Sequence, residues 1–378
     1  MHSSLRSINF WRIIIINLMV SSLVYMLMPL WPLMLEHNES VPVQTSGWMM
    51  MLFGIGLFIP GPFSSYLVDK YRRKDVCLWA ITLLVLVSLL SMLELPLWAV
   101  GALRFAQGVS FALFHIVLGS TILIDITVSE RRDLASYIYF WACRFALGLG
   151  PAFGILALQP QLWYYLRFFP VLCGIVAVYL VARIDLPFRT PLEPKVLSFD
   201  RCWLVRGWPF AVLLFPVTFA LGVEMAGNLH PLFFVFLLCG FVLALILHFT
   251  VFYRSDMRAE IFTGYLFVFA SFLILLTIQE NSFTRIAAML LGYGVGCVTG
   301  RVQYFLTQMS KHTERGSAQG TYKLTFEAGI CFGFFFTCSL GSSFIQGMQI
   351  VCLCLVASSA LLYLVFVHPW YLRHMTRH

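Results

Sequence analysis

Charged residues are scarce in this sequence. Asp, Glu, Lys and Arg together make up only 11% of its 378 residues, whereas hydrophobic residues make up 60%. Soluble domains carry about 25% charged residues, so this scarcity excludes an ordinary soluble domain. Membrane β-barrels need short strands of alternating polarity, and that alternation is also missing. The sequence therefore predicts an all-α membrane protein.

Motifs for metals, nucleotides and disulfides are missing as well. The ten cysteines lie mostly inside apolar runs and show no metal-like spacing, which indicates small buried residues without disulfides. No phosphate-binding loop is present. We therefore expect no cofactor and no metal, and an ion gradient rather than nucleotide hydrolysis as the source of energy.

What the chain does contain is a series of long apolar runs. Each is about 17–29 residues long, and roughly 20 helical residues cross a bilayer core. We predict twelve transmembrane helices, at 10–34, 46–68, 77–93, 96–124, 134–157, 162–183, 207–229, 231–252, 260–279, 284–309, 318–340 and 344–367. The first run is too long for a cleaved signal peptide and lacks a cleavage site.

The basic residues are distributed asymmetrically around these runs. The net charge is +8, and most of the 25 lysines and arginines fall on the inner side if the N-terminus is inside. This asymmetry follows the positive-inside rule, so it predicts cytoplasmic termini rather than nucleic-acid binding. The one long polar linker, 186–206, divides the chain near its midpoint. We predict six-helix bundles at 1–185 and 207–378.

The stretch Glu130–Gly154 recurs weakly 183 positions later. In this repeat Glu327 falls where Arg144 falls, which predicts equivalent depths for these two charges in the two halves. The other matched positions are Arg132, Ala135, Tyr139, Gly150 and Phe153 in the first copy and Arg315, Ala318, Tyr322, Gly333 and Phe336 in the second.

Several polar side chains fall inside the apolar runs. An arginine at mid-membrane costs about 2.5–3.5 kcal/mol on insertion scales, so such residues need a partner or a water-filled cavity. We predict that substrate binding or proton coupling involves residues of this kind, namely Arg144, Glu327, Arg301, His115, Glu224, Asn17 and Tyr25.

For most of these candidates a structural role is an open alternative. The stripe Asn17–Tyr25 fits interhelical hydrogen bonds as well as a cavity wall. His115 fits a satisfied buried histidine as well as a proton carrier. Glu224 fits a residue bonded to a neighbour near the outer end of its helix. Glu327 lies one turn after Lys323, so an internal ion pair is an alternative to a coupling role.

Charges at the predicted cytoplasmic end of the second helix indicate a breakable latch, or charges that only set topology. The run from Gly61 to Val76 reads GPFSSYLVDKYRRKDV, and we assign Asp69, Arg72 and Arg73 to this latch. In the fourth helix Arg104, Gln107, His115 and Asp125 share one face. Arg104 and Asp125 are the further latch candidates on that face.

These stretches resemble signatures of the major facilitator superfamily. The loop run is similar to its charged loop motif, although Arg72 and Ser65 replace the usual glycines. The run LRFAQG resembles its fourth-helix motif, whose arginine is associated with conformational or proton coupling. GPAFG, which ends a ridge of small residues from Ala142 to Gly154, resembles a fifth-helix motif of its antiporters.

The resemblance implies two six-helix bundles related by a pseudo-two-fold axis, with substrate bound between them near the midplane and alternating access by rocking. We expect a monomeric, proton-coupled exporter of a small organic solute in the cytoplasmic (plasma or inner) membrane. Glu327 or Glu224 would exchange a proton for the solute, and Arg144 or Arg301 would hold the solute or tune that carboxylate. An importer or facilitator of an anionic metabolite or sugar, a membrane enzyme and a receptor are the alternatives.

Overall fold

The computed structural model describes residues 7–36, 42, 44–93, 95–159, 161–186, 195–198, 203–252, 256–278, 280–311, 314–341 and 344–375. Most of the predicted linker, 186–206, lies outside these residues. The helices are α1 (Ile8–Met26), α2 (Leu30–Glu36), α3 (Thr45–Phe58), α4 (Pro60–Lys70), α5 (Arg73–Leu90), α6 (Leu97–Val117), α7 (Leu123–Ile126), α8 (Arg132–Ala157), α9 (Trp163–Ala182), α10 (Trp208–Gly227), α11 (Pro231–Thr250), α12 (Met257–Thr277), α13 (Asn281–Met309), α14 (Arg315–Leu340), α15 (Ile345–Leu362) and α16 (His368–Met375).

Every predicted apolar run coincides with one of these helices or a joined pair. Within the described residues, nine helical segments are long and apolar enough to cross a membrane, and α3 with α4 forms a tenth span bent by 44°. The remaining two runs, 77–93 and 162–183, coincide with α5 and α9. The helical nature of the runs is confirmed, and the count of twelve spans stays a prediction.

Proline lies at the helix break in each of the first two spans. Pro60 begins α4 directly after α3, and Pro29 lies in the break between α1 and α2. A proline ring removes one backbone hydrogen bond and clashes with the preceding turn, so a continuous helix cannot pass through it undisturbed. A different irregularity, the π-helical segment Leu118–Ile122, joins α6 to α7.

The helices pack in the same pattern in the two halves of the chain. In the first half α1 packs against α8 and α9, α6 packs against α3 and α5, and α5 packs against α9. In the second half α10 packs against α14 and α15, α13 packs against α11 and α12, and α12 packs against α15. The two sets of pairs match when α1, α3, α5, α6, α8 and α9 are replaced in order by α10, α11, α12, α13, α14 and α15. The halves meet where α3 contacts α14 and where α8 contacts α11.

Glycines allow the closest of these helix pairs to form. A Cβ added at Gly150 would lie 2.4 Å from the carbonyl oxygen of Ser22, and one at Gly333 would lie 2.2 Å from that of Phe219. Gly150 and Gly333 occupy equivalent positions in the 183-residue repeat. The predicted role of the small-residue ridge, close approach of a neighbouring backbone, is therefore confirmed for Gly150.

Gly333→Ala is expected to lower the stability of the protein, because the new methyl group would overlap backbone that cannot rotate away. Overpacking of this kind costs about 1–3 kcal/mol. The measurement is the thermal unfolding midpoint in detergent. Gly347→Ala is the matched control, because an added Cβ there has no neighbour within 4 Å among the described residues. Equal midpoints for the two variants would contradict the packing of α14 on α10.

Candidate functional site

A cavity of 260 Å³ lies between α4, α6, α8 and α14, and therefore between the two halves of the chain. It extends from Arg315, the first residue of α14, to Glu327, about three turns further along that helix. Arg73, Asp125 and Arg132 line the same end as Arg315, which is the predicted cytoplasmic end. We call the region around Glu327 the base of the cavity and the region around Arg315 its mouth.

The base carries a buried cluster of four side chains. Lys323 Nζ lies 2.7 Å from Glu327 Oε1, 3.1 Å from the hydroxyl of Tyr25 and 2.8 Å from Cys143 Sγ. The hydroxyl of Tyr25 donates a short hydrogen bond to the same oxygen of Glu327. The cluster joins α1 and α8 of the first half to α14 of the second half.

The cluster balances its charges and uses every donor of its ammonium group. A lysine ammonium has three donors, and Lys323 directs them at Tyr25, Cys143 and Glu327. Glu327 is fully buried, and its second oxygen, Oε2, has no hydrogen-bond partner among the described residues. Glu327 is also one of the residues that line the cavity.

Arg144 binds a separate set of partners across the halves. Its Nε donates to Thr299 Oγ1 at 2.9 Å, and its Nη2 donates to the hydroxyl of Tyr322 at 2.6 Å and to Gln303 Oε1 at 3.3 Å. The guanidinium also lies 4.6 Å from the ring centre of Trp141. Arg144 therefore ties α8 to α13 and α14, while Glu327 has its own partners in the Lys323 cluster.

Further polar contacts continue this seam between α8 and the second half. Gln319 Nε2 donates to Ser136 Oγ at 2.6 Å, and Gln303 Nε2 donates to the Ser136 carbonyl at 2.9 Å. Closer to the mouth, Arg315 forms an ion pair of 3.3 Å with Asp133. Ser136 and Gln319 are 183 positions apart, so they are equivalent residues of the repeat that touch each other.

His115 and Asn17 both bind Tyr139 of α8. His115 Nδ1 and the Tyr139 hydroxyl share a hydrogen bond of 2.9 Å, and His115 lines the cavity. Asn17 Nδ2 donates to the Tyr139 carbonyl at 2.6 Å, which is the interhelical bond that one alternative predicted. Of the stripe Asn17–Tyr25, Tyr25 belongs to the Lys323 cluster, and the Ser21 hydroxyl lies 3.5 Å from Cys143 Sγ of that cluster.

Of the five residues predicted to form the latch, the structure brings three together, namely Asp69, Arg73 and Asp125. Arg73 lies 3.7 Å from Asp69 and forms a short ion pair with Asp125, so it links α5 to α4 and α7. The side chain of Arg72 is exposed. Arg104 lies near the opposite end of α6, where it is buried and contacts Gln107 and Met50. The structure does not bring Arg104 to the latch, because its helix separates it from Asp125 by about 30 Å at 1.5 Å per residue.

Arg301 also has partners that the sequence did not indicate. It forms a short ion pair with Glu260 of α12, and its Nη2 donates to the Phe252 carbonyl at 3.3 Å. His248 Nδ1 lies 2.8 Å from the other oxygen of Glu260. Arg301 is not among the residues that line the cavity, so its surroundings indicate a structural charge pair inside the second half.

Arg301→Met is expected to destabilise the protein strongly, because it removes the arginine partner of the buried Glu260 carboxylate and leaves only His248 beside it. Breaking a buried pair in this way costs about 3–5 kcal/mol, whereas replacing both partners by apolar residues is often nearly neutral. The measurement is the unfolding free energy in detergent for Arg301→Met, Glu260→Met and the double variant. Additive losses in the double variant would contradict the pairing.

Glu224 lies outside the cavity and is satisfied by neighbours. Its Oε2 accepts a hydrogen bond of 2.7 Å from Asn228, and its Oε1 accepts one of 3.0 Å from Gln349 of α15. This arrangement matches the alternative in which Glu224 is bonded to a neighbour near the end of its helix. It also makes Glu224 a useful control for Glu327, since both are buried carboxylates.

Sequence reasoning missed several residues of the site. Ser64, Gln319 and Tyr139 line the cavity, and Cys143 completes the Lys323 cluster. The only available signal was the repeat, which pairs Tyr139 with Tyr322. Within the described part of the chain, no group of three or more His, Cys, Asp or Glu residues could hold a metal ion.

These features define a multi-pass helical membrane protein with a polar cavity between two similarly packed halves. A family model described as Major Facilitator Superfamily matches residues 13–279. The chain belongs to the Major Facilitator Superfamily, and the resemblance based on its sequence signatures is confirmed.

Two curated relatives come from Bacillus subtilis (strain 168). The uncharacterized MFS-type transporter YtbD is 25% identical over 189 residues, which are 50% of this chain and 47% of the relative. The uncharacterized MFS-type transporter YceJ is 27% identical over 189 residues, which are 49% of this chain and 46% of the relative. The chain thus spans about half the length of the curated relatives it matches.

A solved structure is similar over nearly the whole chain. The crystal structure of the human organic anion transporter MFSD10 (TETRAN) superposes with a TM-score of 0.71, covering 94% of this chain and 100% of the other. The two sequences are 13% identical, so this likeness concerns the fold alone.

Proposed function

We propose that this protein moves a small organic solute across a membrane by alternating access, with twelve spans in two six-helix bundles. The repeated packing pattern of the two halves supports the bundles. The cavity between α4, α6, α8 and α14 supports a solute site between them. Under this proposal the protein is a monomeric transporter in the cytoplasmic (plasma or inner) membrane, rather than an enzyme, and it needs no cofactor.

The observation that carries the proposal is the Lys323–Glu327 pair at the base of the cavity. Glu327 Oε1 is held by Lys323 and Tyr25, and Oε2 is left without a partner among the described residues. A proton on Glu327 would remove the negative charge that holds Lys323, and it would occupy the oxygen that a solute could bind. Proton and solute would therefore compete for one carboxylate, which is the requirement for exchange.

The position of the cavity supports export. Its mouth is surrounded by Arg73, Arg132 and Arg315, and the positive-inside rule assigns such a basic end to the cytoplasm. A solute would then enter from the inside and leave in exchange for a proton. The resemblance of GPAFG in α8 to the antiporter motif points in the same direction.

A ligand-stabilisation screen of the purified protein, repeated across pH, tests this proposal. A solute at a concentration 100 times its dissociation constant stabilises the folded protein by about 2.7 kcal/mol. We expect this stabilisation to weaken as pH falls, because protons compete for Glu327. A solute that stabilises equally at every pH would contradict proton exchange. A solute that binds but is never carried across proteoliposome membranes would contradict transport.

A further inference from the structure

Several residues that line the cavity carry a buried polar atom without a hydrogen-bond partner among the described residues, and Arg315 Nε at the mouth is one of these atoms. Among the described residues, Ser64 Oγ, His115 Nε2, Gln319 Oε1 and Glu327 Oε2 have no partner, and all four residues line the cavity. They come from three helices, and each is at least nine-tenths buried. A buried polar atom left unpaired costs about 1–3 kcal/mol. Their convergence on one cavity indicates what a bound solute must offer.

The hydrogen-bonding character of these atoms is mixed. Glu327 Oε2 and Gln319 Oε1 accept hydrogen bonds, and the Gln319 amide nitrogen is already committed to Ser136. The Ser64 hydroxyl can donate or accept. His115 Nε2 can do either, depending on the tautomer set by its bond to Tyr139. A solute hydroxyl both donates and accepts, so several hydroxyl groups match this set better than a group that only donates or only accepts.

The charges around the base favour a solute without net charge. Lys323 and Glu327 form a pair of opposite sign, with the ammonium donors already used. An anion would meet the open oxygen of Glu327, and a cation would meet the ammonium of Lys323. At the mouth, Arg73 is paired with Asp125, and Arg315 is paired with Asp133. Arg132 lies there too, away from the base.

The walls supply apolar surface for the remaining part of such a solute. The rings of Phe111, Tyr139 and Phe140 line the cavity beside these polar atoms. Aromatic faces pack well against the C–H faces of a compact hydroxylated ring. The cavity volume of 260 Å³ is slightly below the usual range of about 300–1,000 Å³ for small-molecule sites, so it limits the solute to a small one.

We infer that this cavity binds a small, neutral, polyhydroxylated solute through Ser64, His115, Gln319 and Glu327, with Gln319 nearer the mouth and Glu327 at the base. The inference rests on the proposed function and deepens it, since it assigns a chemical class to the transported solute. It gives Ser64 and Gln319, which no motif identified, a direct role in recognition.

Binding of four probes from three chemical classes to the purified full-length protein tests the inference. The probes are D-mannitol and D-glucose as neutral polyols, tetraethylammonium as an organic cation and p-aminohippurate as an organic anion, with the two polyols treated as one class. We expect binding of a polyol and a dissociation constant raised about tenfold by Ser64→Ala, since the variant loses one buried hydrogen bond. Ser64→Ala is expected to keep wild-type stability, because the hydroxyl it removes has no hydrogen-bond partner among the described residues.

Gln319→Leu provides a second variant with a matched control. It removes the open oxygen Oε1, but it also breaks the hydrogen bond to Ser136. Ser136→Ala breaks that same bond and leaves Oε1 in place. We expect polyol affinity to fall about tenfold in Gln319→Leu and to change less than threefold in Ser136→Ala.

The outcomes separate this inference from the proposed function. Binding confined to tetraethylammonium or p-aminohippurate, or to no probe, would overturn the polyol class. Polyol binding that Ser64→Ala and Gln319→Leu leave unchanged would overturn the site. If the rate of polyol flux in proteoliposomes does not depend on an imposed pH gradient, the result would support the inference and contradict proton exchange.

Discussion

Glu327→Gln is expected to abolish accumulation of solute driven by a pH gradient. Glutamine resembles a carboxyl group that is permanently neutral, so the variant cannot release or take up a proton during the cycle. It also deprives Lys323 of its ion-pair partner. Loss of a buried charge partner also costs about 3 kcal/mol or more of folding stability. The measurement is solute uptake into proteoliposomes with an imposed pH gradient.

The same experiment contains its own controls. Exchange of solute down its concentration gradient should persist in Glu327→Gln at solute concentrations that saturate its weakened site, because the helices that form the cavity are unchanged. Glu224→Gln should behave like the wild type, since Glu224 is an equally buried carboxylate outside the cavity. Unchanged gradient-driven uptake in Glu327→Gln would show that its ion pair with Lys323 is structural only.

Arg144→Ala is expected to produce the second large loss. The guanidinium makes three hydrogen bonds from α8 to α13 and α14, and the alanine variant leaves Thr299, Gln303 and Tyr322 without this partner. A hydrogen bond to a charged group contributes about 1.5–3 kcal/mol to stability. The variant therefore loses several kcal/mol of the free energy that holds the two halves together at this seam. We expect turnover to fall by roughly 100-fold, because the seam must form and open in each cycle.

Two further variants make the Arg144 experiment specific. Arg144→Lys keeps the charge but not the planar fork, so it should restore only part of the turnover. Arg183→Ala removes an exposed arginine at the end of α9 and should leave turnover unchanged. Solute affinity and turnover that survive Arg144→Ala would remove any role for Arg144 beyond packing.

The extent of the helices was predictable because it depends on local properties. Apolar runs of spanning length set the helices, Pro29 and Pro60 set the bends, and the 183-residue repeat predicted the equivalent glycines Gly150 and Gly333. Each of these features can be read from neighbouring residues or from a fixed offset in the chain. The signatures in α4, α6 and α8 then identified the family.

The partners of each buried charge were not predictable in the same way. Arg301 and Arg144 both lie on apolar helices, yet one meets Glu260 within its own half and the other meets Tyr322 across the halves. Helical periodicity gives the direction of a side chain around its own axis. It does not give the identity of the residue that an adjacent helix presents, so Cys143 and Gln319 could not be found from sequence alone.

The most direct measurement of the central claim is proton release from the purified protein on solute binding. A solute selected by the stabilisation screen is added at saturation to the protein in weak buffer, and the pH change is followed with an indicator dye. If solute and proton compete for Glu327, solute binding releases on the order of one proton per protein molecule. This holds at a pH where Glu327 of the wild type carries a proton. Glu327→Gln should bind the solute more weakly, and at a solute concentration that saturates this weakened site it should release no proton. Equal release from the wild type and Glu327→Gln, or none from either, would contradict the account.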